Sequence, residues 1–323
     1  MLVTQNSDVL SVLVHLSLAL PLVLLPGLSY YVFDAAGWRS LLSRVPPNHT
    51  FFQALRIHVS SEAMVKTIPL GVALADSIRV VLLKRECNIP MTDGLSNSLY
   101  RRLYLGLAQG VYLIVGGLMG FSLLRVTPTA VVPAGYMGWI PLGAGILLVV
   151  VLLLVLILLS TPGARLRGIR MSKRIPWPTI SARLIRLMER PIEAGPHFHR
   201  LFNRSTGMAL IWFLAYWCAE AAETMTFMAL LGIPFSIHQV AAIESVVSAL
   251  RLAAFFLPSG IGVQEIGYAV LMASAGCVPA PGDASGFVIL KRTKDIFWIT
   301  LGYTFLLAKG IRPFRKSTLV LAS

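Results

Sequence analysis

The sequence predicts an all-α polytopic membrane protein of two inverted span–hairpin–span repeats, with Pro/Gly-broken re-entrant helices in the hairpins. Three observations predict it. Hydrophobic residues make up 56% of the chain and charged residues only 13%, about half the charged share of a soluble domain. Val9–Phe33, Leu103–Leu124 and Tyr136–Leu159 contain no Asp, Glu, Lys or Arg, and about 20 such residues cross the hydrocarbon core. Two apolar stretches are broken in a matching way: Pro69 precedes Asp76 by the same interval as Pro258 precedes Glu265.

The first span is read over Val9–Phe33. No basic n-region precedes it and no small-residue cleavage site follows, so it is expected to be retained rather than cleaved as a signal peptide. A short basic connector carries Arg39 and Arg44. Phe51–Leu83 is interrupted at Pro69-Leu-Gly71 and holds Arg56, Glu62, Lys66, Asp76 and Arg79. Each half is too short and too polar for an independent span, which predicts a hairpin that enters the membrane and turns back. Lys84–Asn97 reads as a basic loop, with Arg101 and Arg102 just beyond it. Spans at Leu99–Leu124 and Tyr136–Ser160 follow, joined by a short loop containing proline.

Thr161–Thr206 is the largest polar segment and is strongly basic. Within it, Arg183, Arg186 and Arg190 share one helical face while Ile180, Leu184, Leu187 and Met188 share another. That pattern predicts an amphipathic surface helix against anionic lipid headgroups. The second half runs through a span at Met208–Leu231, a hairpin at Phe235–Ala275 broken at Pro258, and a span at Ala284–Ala308. The chain therefore divides into a first membrane repeat (1–134), a linking helix (135–160), a basic cytoplasmic loop (161–206), a second membrane repeat (207–308) and a basic tail (309–323).

A net charge of +14 would point to nucleic acid in a soluble protein. Here the basic residues cluster between spans, the positive-inside pattern, and no nucleic-acid motif accompanies them. Placing every basic segment on the cytoplasmic side of the plasma (inner) membrane puts the N-terminus outside and the C-terminus inside. The parity requires each broken segment to return to the side it entered, with the first hairpin opening inward and the second outward. Two full helices in place of each hairpin preserve the same parity, so re-entrance stays open. Inverted repeats with broken helices in matching positions are a sequence pointer to a transporter site.

The candidate site residues follow from the cost of ionisable groups in spans. Glu265 stands beside the break Pro258-Ser-Gly260-Ile-Gly262, where Pro258 removes a helical hydrogen bond and the two glycines leave backbone amides uncovered. A helix beginning near Ile261 would aim its positive end into that break. Arg251 and Glu244 share one face of the preceding helix, as candidate partners for the second arm or for a lipid headgroup. Glu220 and Glu223 lie one turn apart in an apolar helix, with Glu220 the more structural reading and Glu223 the more functional one. Lys291, Arg292 and Asp295 form a helical cluster in which Asp295 neutralises one cation locally. The other cation is left for Glu265, Glu223 or a lipid phosphate. In the first repeat, Asp76 with Arg79 and Glu62 with Lys66 read as self-paired, with Arg79 the exception to watch. Cys87, Cys218 and Cys277 are isolated, which indicates neither a zinc site nor a disulfide framework. No HExxH, P-loop or Gly-x-Ser-x-Gly elbow is present, so neither metal nor cofactor is expected.

The run Ala242-Ile-Glu-Ser-Val-Val-Ser-Ala-Leu-Arg-Leu-Ala-Ala-Phe-Phe-Leu-Pro-Ser-Gly-Ile-Gly-Val-Gln-Glu-Ile-Gly-Tyr268 resembles the flippase-like membrane domain of the lysylphosphatidylglycerol synthase family. It is most similar to the stand-alone, hopanoid-biosynthesis-associated branch. The resemblance extends to Leu290-Lys-Arg-Thr-Lys-Asp295 and to Ala219-Glu-Ala-Ala-Glu223. Ile68-Pro-Leu-Gly-Val-Ala-Leu-Ala-Asp-Ser-Ile-Arg79 is similar to the family's first broken segment, but has Leu-Ala-Asp where Gly-Gly-Glu is usual.

Two-part members of that family carry a soluble aminoacyl-transferase domain, and this sequence shows none. The resemblance therefore implies a non-enzymatic lipid translocator or lipid-transport factor for a polar or hopanoid-related lipid. Membrane lipids are the expected partners, and lipid- or hopanoid-synthesis enzymes the candidate protein partners. Two other readings remain: a membrane-embedded enzyme of lipid or hopanoid metabolism, and a non-catalytic scaffold of such a complex.

Overall fold

The structure, a computed structural model, describes residues 4–42, 50–68, 71–126, 135–160, 170, 203–279 and 281–311. Pro69, the expected surface helix at Ile180–Arg190 and the tail beyond Ile311 lie outside the described residues. All regular structure among the described residues is helical: α1 (Thr4–Leu42), α2 (Phe51–Thr67), α3 (Gly71–Cys87), α4 (Met91–Met119), α5 (Phe121–Val126), α6 (Trp139–Ser160), α7 (Arg204–Leu230), α8 (Ile237–Ala253), α9 (Val263–Ser274) and α10 (Ser285–Ala308), with short 3₁₀ turns at Pro258–Gly260 and Pro281–Ala284.

The helix starts follow from local chemistry. Reciprocal side-chain to backbone hydrogen bonds cap α2 through Thr50 and Gln53, α7 through Asn203 and Thr206, and α8 through Ser236 and Gln239. Each satisfies amides that a helix start leaves bare. At the second break, Gly260 (φ 60°) and Gly262 (φ 85°) take left-handed backbone, which a Cβ disfavours. The chain can therefore turn there and restart as α9. The arms flanking the two breaks have 17 and 17 residues, then 17 and 12. At about 1.5 Å per residue none reaches the roughly 30 Å hydrocarbon thickness.

Two expectations change at this stage. The loop expected at Lys84–Asn97 is mostly helix, because α3 continues to Cys87 and α4 begins at Met91. Arg101 and Arg102 thus sit inside α4, where Asp34 and Asp76 neutralise them. The span expected at Leu99–Leu124 is two helices. Gly120 interrupts them where a Cβ would stand 2.6 Å from the Ala242 Cα.

Packing pairs the halves reciprocally. α1 lies along α7, α2 packs on α10, and α8 packs on α4. The first arm of each broken pair therefore rests on the last long helix of the other half. The α2–α10 contact depends on Gly302, whose added Cβ would stand 2.6 Å from the Val59 carbonyl oxygen and 2.7 Å from Ala63 Cβ. Gly302→Val must push backbone from backbone. It is expected to cost about 1–3 kcal/mol, the usual range for overpacking, read as a lower unfolding midpoint in detergent, whereas Gly207→Val, with open space around it, is expected to cost less than Gly302→Val.

Polarity runs inside out. Asp34, Arg79, Arg101, Glu223, Glu244, Lys291, Lys294 and Asp295 are buried. Val111, Val115 and Leu118 on α4, Leu147, Val150 and Leu154 on α6, and Ile289 and Ile296 on α10 are exposed. Apolar surface of that extent is stable when its solvent is lipid. Among the described residues, α4 and the stretch Trp139–Leu159 of α6 are apolar and long enough to cross a membrane by composition alone. α7 and α10 have the length but carry the ionisable residues that the interior absorbs. This is an all-helical membrane protein.

Candidate functional site

Between the halves lies a cavity of about 460 Å³ that reaches both helix breaks. Ile68 and Gly71 border it from the first break, and Ala254, Leu257 and Gly260 from the second. Leu105, Gly106 and Gln109 of α4 and Leu148 and Leu152 of α6 form apolar and neutral walls.

Its charges come from both halves and balance. The carboxylates are Asp34, Glu62, Asp76 and Glu220; the guanidiniums are Arg79, Arg101, Arg102 and Arg251. Arg101 grips Asp34 with two parallel hydrogen bonds, the Nε one 2.7 Å long, and His58 Nε2 stands 3.4 Å from the same carboxylate. Arg79 donates to Asp76 at 2.7 Å and to the Ser61 hydroxyl at 2.8 Å, with its guanidinium over the Trp38 ring. Arg102 binds the other Asp76 oxygen. On the facing wall Arg251 donates to both Glu220 oxygens, at 3.0 and 2.6 Å. Fork-to-fork pairs of this kind fix the plane of each guanidinium. Glu62 is held least, 3.7 Å from both Arg79 and Arg101.

The mouth at the second break is apolar. Phe255 and Phe256 are 66% and 52% exposed, and Ile261 is exposed beside them. Phe255, which lines the cavity, thus joins its charged groups to exposed apolar surface at the second break.

A second charge network lies beside the cavity, within the second half. Glu223 takes hydrogen bonds from Lys294 on both oxygens at 2.8 Å, and Lys291 stands 3.2 Å away. Lys291 also donates to Tyr268 Oη at 2.9 Å, and Tyr268 donates to Glu244 at 2.7 Å. Arg292 binds Glu265 and lies 3.4 Å from Asp295. Asp295 accepts from Lys66 of α2 at 2.5 Å.

The sequence-derived candidates thus separate into two groups. Arg251, Asp76, Arg79 and Gly260 line the cavity. Glu265, Glu244, Glu223, Lys291, Arg292 and Asp295 form the adjacent network, while Pro258 and Gly262 shape the second break. Glu265 accepts the Gly262 amide at 2.8 Å, so it fastens the start of α9 instead of facing the cavity. The expected Glu62–Lys66 self-pair does not form: Lys66 turns to Asp295, and Glu62 to the two arginines. Arg79 does keep Asp76, as its spacing suggested.

Sequence reasoning assigned no role to Asp34 or Lys294 and named Arg101 and Arg102 only as a basic pair at the start of a span. Asp34 directly follows the charge-free run Val9–Phe33, where a carboxylate reads as a helix end. The structure carries α1 on to Leu42 and buries it. A lone carboxylate so close to an apolar run was the available signal.

The family model described as the lysylphosphatidylglycerol synthase TM region matches residues 2–291. No curated protein matches the chain, and no solved structure does. The matching family is one of membrane domains and points to a function connected with membrane lipids.

Proposed function

We propose, from the premise that this chain belongs to the lysylphosphatidylglycerol synthase transmembrane family, that it moves a polar or hopanoid-related lipid across the bilayer. The observation that carries the reading is the cavity itself: charged on both walls, bordered by both helix breaks, and lined at the second break by the exposed Phe255. A headgroup leaving water needs its hydration replaced. Arg251 with Glu220 on one wall, and Arg79 and Arg102 with Asp76 on the other, supply donors and acceptors for that exchange. The acyl chains stay outside against the exposed apolar surface at Phe255. No bond of the lipid is made or broken in this reading, so the protein acts as a carrier.

The reciprocal packing of α2 on α10 and α8 on α4 supports two inverted repeats that rock about the α1–α7 contact. Alternating exposure of a fixed site by such rocking is how inverted-repeat transporters work. We place the protein in the inner membrane, with the basic segments cytoplasmic as the positive-inside pattern requires.

A blocking substitution tests this without touching any charge. Leu105 lines the cavity, and Leu105→Trp adds a ring to it. Labelled polar lipids in proteoliposomes are expected to cross with wild type and to cross at least about tenfold more slowly with Leu105→Trp, a barrier difference of about 1.4 kcal/mol. Equal transfer by wild type, variant and empty vesicles across a phospholipid and hopanoid panel would remove the reading.

A further inference from the structure

The four carboxylates that line the cavity are held unequally. Asp34, Asp76 and Glu220 each accept hydrogen bonds from arginine. Glu62 accepts none among the described residues, and its ion-pair partners Arg79 and Arg101 both stand 3.7 Å away. Those two guanidiniums are 1% and 5% exposed and turn to Asp76 and Asp34, whereas the Glu62 side chain is 22% exposed and lines the cavity. A carboxylate offers about four acceptor positions. Those of Glu62 stay available to a donor that enters the cavity.

The facing wall offers the opposite. Arg251 uses one N–H of each terminal nitrogen on Glu220, and a guanidinium carries about five such donors. Its side chain is partly exposed, lines the cavity and stands over the Trp217 ring. N–H groups therefore remain for an anionic oxygen, and the guanidinium geometry suits phosphate.

Glu62 and Arg251 also occupy corresponding places. Glu62 precedes Pro69 by the same interval as Arg251 precedes Pro258. Under the inverted-repeat reading such positions are counterparts across a pseudo-two-fold axis, and here one is an acid and the other a base. α2, which carries Glu62, packs against the turn Pro258–Gly260, just beyond the arm that carries Arg251. The cavity as a whole has four carboxylates and four guanidiniums, so surplus charge on a guest meets no surplus counter-charge. A guest with one charge of each sign is answered at both ends.

We propose that the cavity selects a zwitterionic headgroup that joins a phosphate to a primary ammonium, with the ammonium donating to Glu62 and the phosphate accepting from Arg251. A phosphoethanolamine lipid has that chemistry. The assignment rests on the reading of this cavity as a lipid site and deepens it by naming the headgroup. A trimethylammonium has no N–H to give Glu62, and a glycerol headgroup has no cation to place there.

Native mass spectrometry of the full chain, offered lipids of identical acyl chains in micelles, tests this without a transport assay. Phosphatidylethanolamine is expected to bind about tenfold or more tightly than phosphatidylcholine and phosphatidylglycerol. Glu62→Gln is expected to bring the three within about twofold of one another. Leu105→Trp is expected to abolish the preference as well, since it crowds the cavity. Free phosphoethanolamine at the same concentration is expected not to displace the lipid, because it lacks chains to lie on the apolar surface at Phe255. If Glu62→Gln does not fold, wild type alone decides: stepwise N-methylation of the ammonium is expected to weaken binding, most of all at the third methyl group. Equal binding of the three lipids, a preference for phosphatidylglycerol, a preference that survives either variant, or a flat methylation series overturns the proposal. Displacement by free phosphoethanolamine as readily as by the lipid overturns it too, and makes the guest a soluble zwitterion.

Proteoliposomes separate this from the carrier reading. A protein that shows the binding preference but transfers no lipid keeps the headgroup site and removes the carrier. One that transfers all three lipids at equal rates keeps the carrier and removes the headgroup assignment.

Discussion

Arg251→Gln is expected to lower lipid transfer at least about tenfold, which corresponds to about 1.4 kcal/mol of lost stabilisation at the transfer barrier. Arg251 faces the cavity with its guanidinium locked flat by both oxygens of Glu220. Truncating it removes the cation of that wall and leaves Glu220 desolvated without a partner. A stability loss of about 1–3 kcal/mol should accompany the substitution, because the lost hydrogen bonds are charge-assisted. Stability and transport separate in the double variant Glu220→Gln/Arg251→Gln. There the two amides bond each other, so the unfolding midpoint should return toward wild type while transfer stays low. A double variant that regains transfer would show the pair to be a brace. Glu265→Gln supplies the contrast, because Glu265 lies outside the cavity, on the Gly262 amide and on Arg292. Its amide oxygen can still accept the Gly262 N–H, so transfer is expected to remain within a few-fold of wild type, which a headgroup assay with matched protein incorporation reads directly.

Arg101→Met is expected to be the most destabilising single substitution at the cavity, at about 3–5 kcal/mol, the cost of removing one partner from a buried ion pair. Asp34 is 1% exposed, and its two oxygens take both arms of the Arg101 fork. His58 at 3.4 Å is the neighbour left to it, equally buried. Because the loss arises from an uncompensated charge and not from a missing contact, Asp34→Asn should return much of it when combined with Arg101→Met. Chemical unfolding in detergent micelles measures both. A double variant as unstable as Arg101→Met would mean that Arg101 acts through packing.

Much of the architecture was legible because hydropathy is a local, additive property. Uncharged runs such as Tyr136–Leu159 have one stable solvent, and α6 appears where that run stands. The second break was legible for a similar reason: Pro258, Gly260 and Gly262 act on their own backbone, and the structure ends α8 and restarts α9 around them. Boundaries drawn from charge were less faithful. Lys84 looked like a loop residue because an isolated cation belongs in water, yet α3 runs on to Cys87 and carries Lys84 on its exposed side.

The sequence by itself determined that this chain is a helical membrane protein, where its second hairpin breaks, and which residues would be costly to bury. Only the tertiary structure decided which charge answers which. Within one helix the available partners lie a turn away, so Glu62 with Lys66 was the natural expectation, whereas Asp76 with Arg79 did form. Folding brings α2 onto α10, and Lys66 then finds Asp295 in the other half, while Glu62 is left facing the cavity. The physical reason is that the energy of a buried charge depends on everything within a few ångströms in a medium that screens poorly. Those neighbours come from helices far apart in the chain, and their identity is a property of the packing.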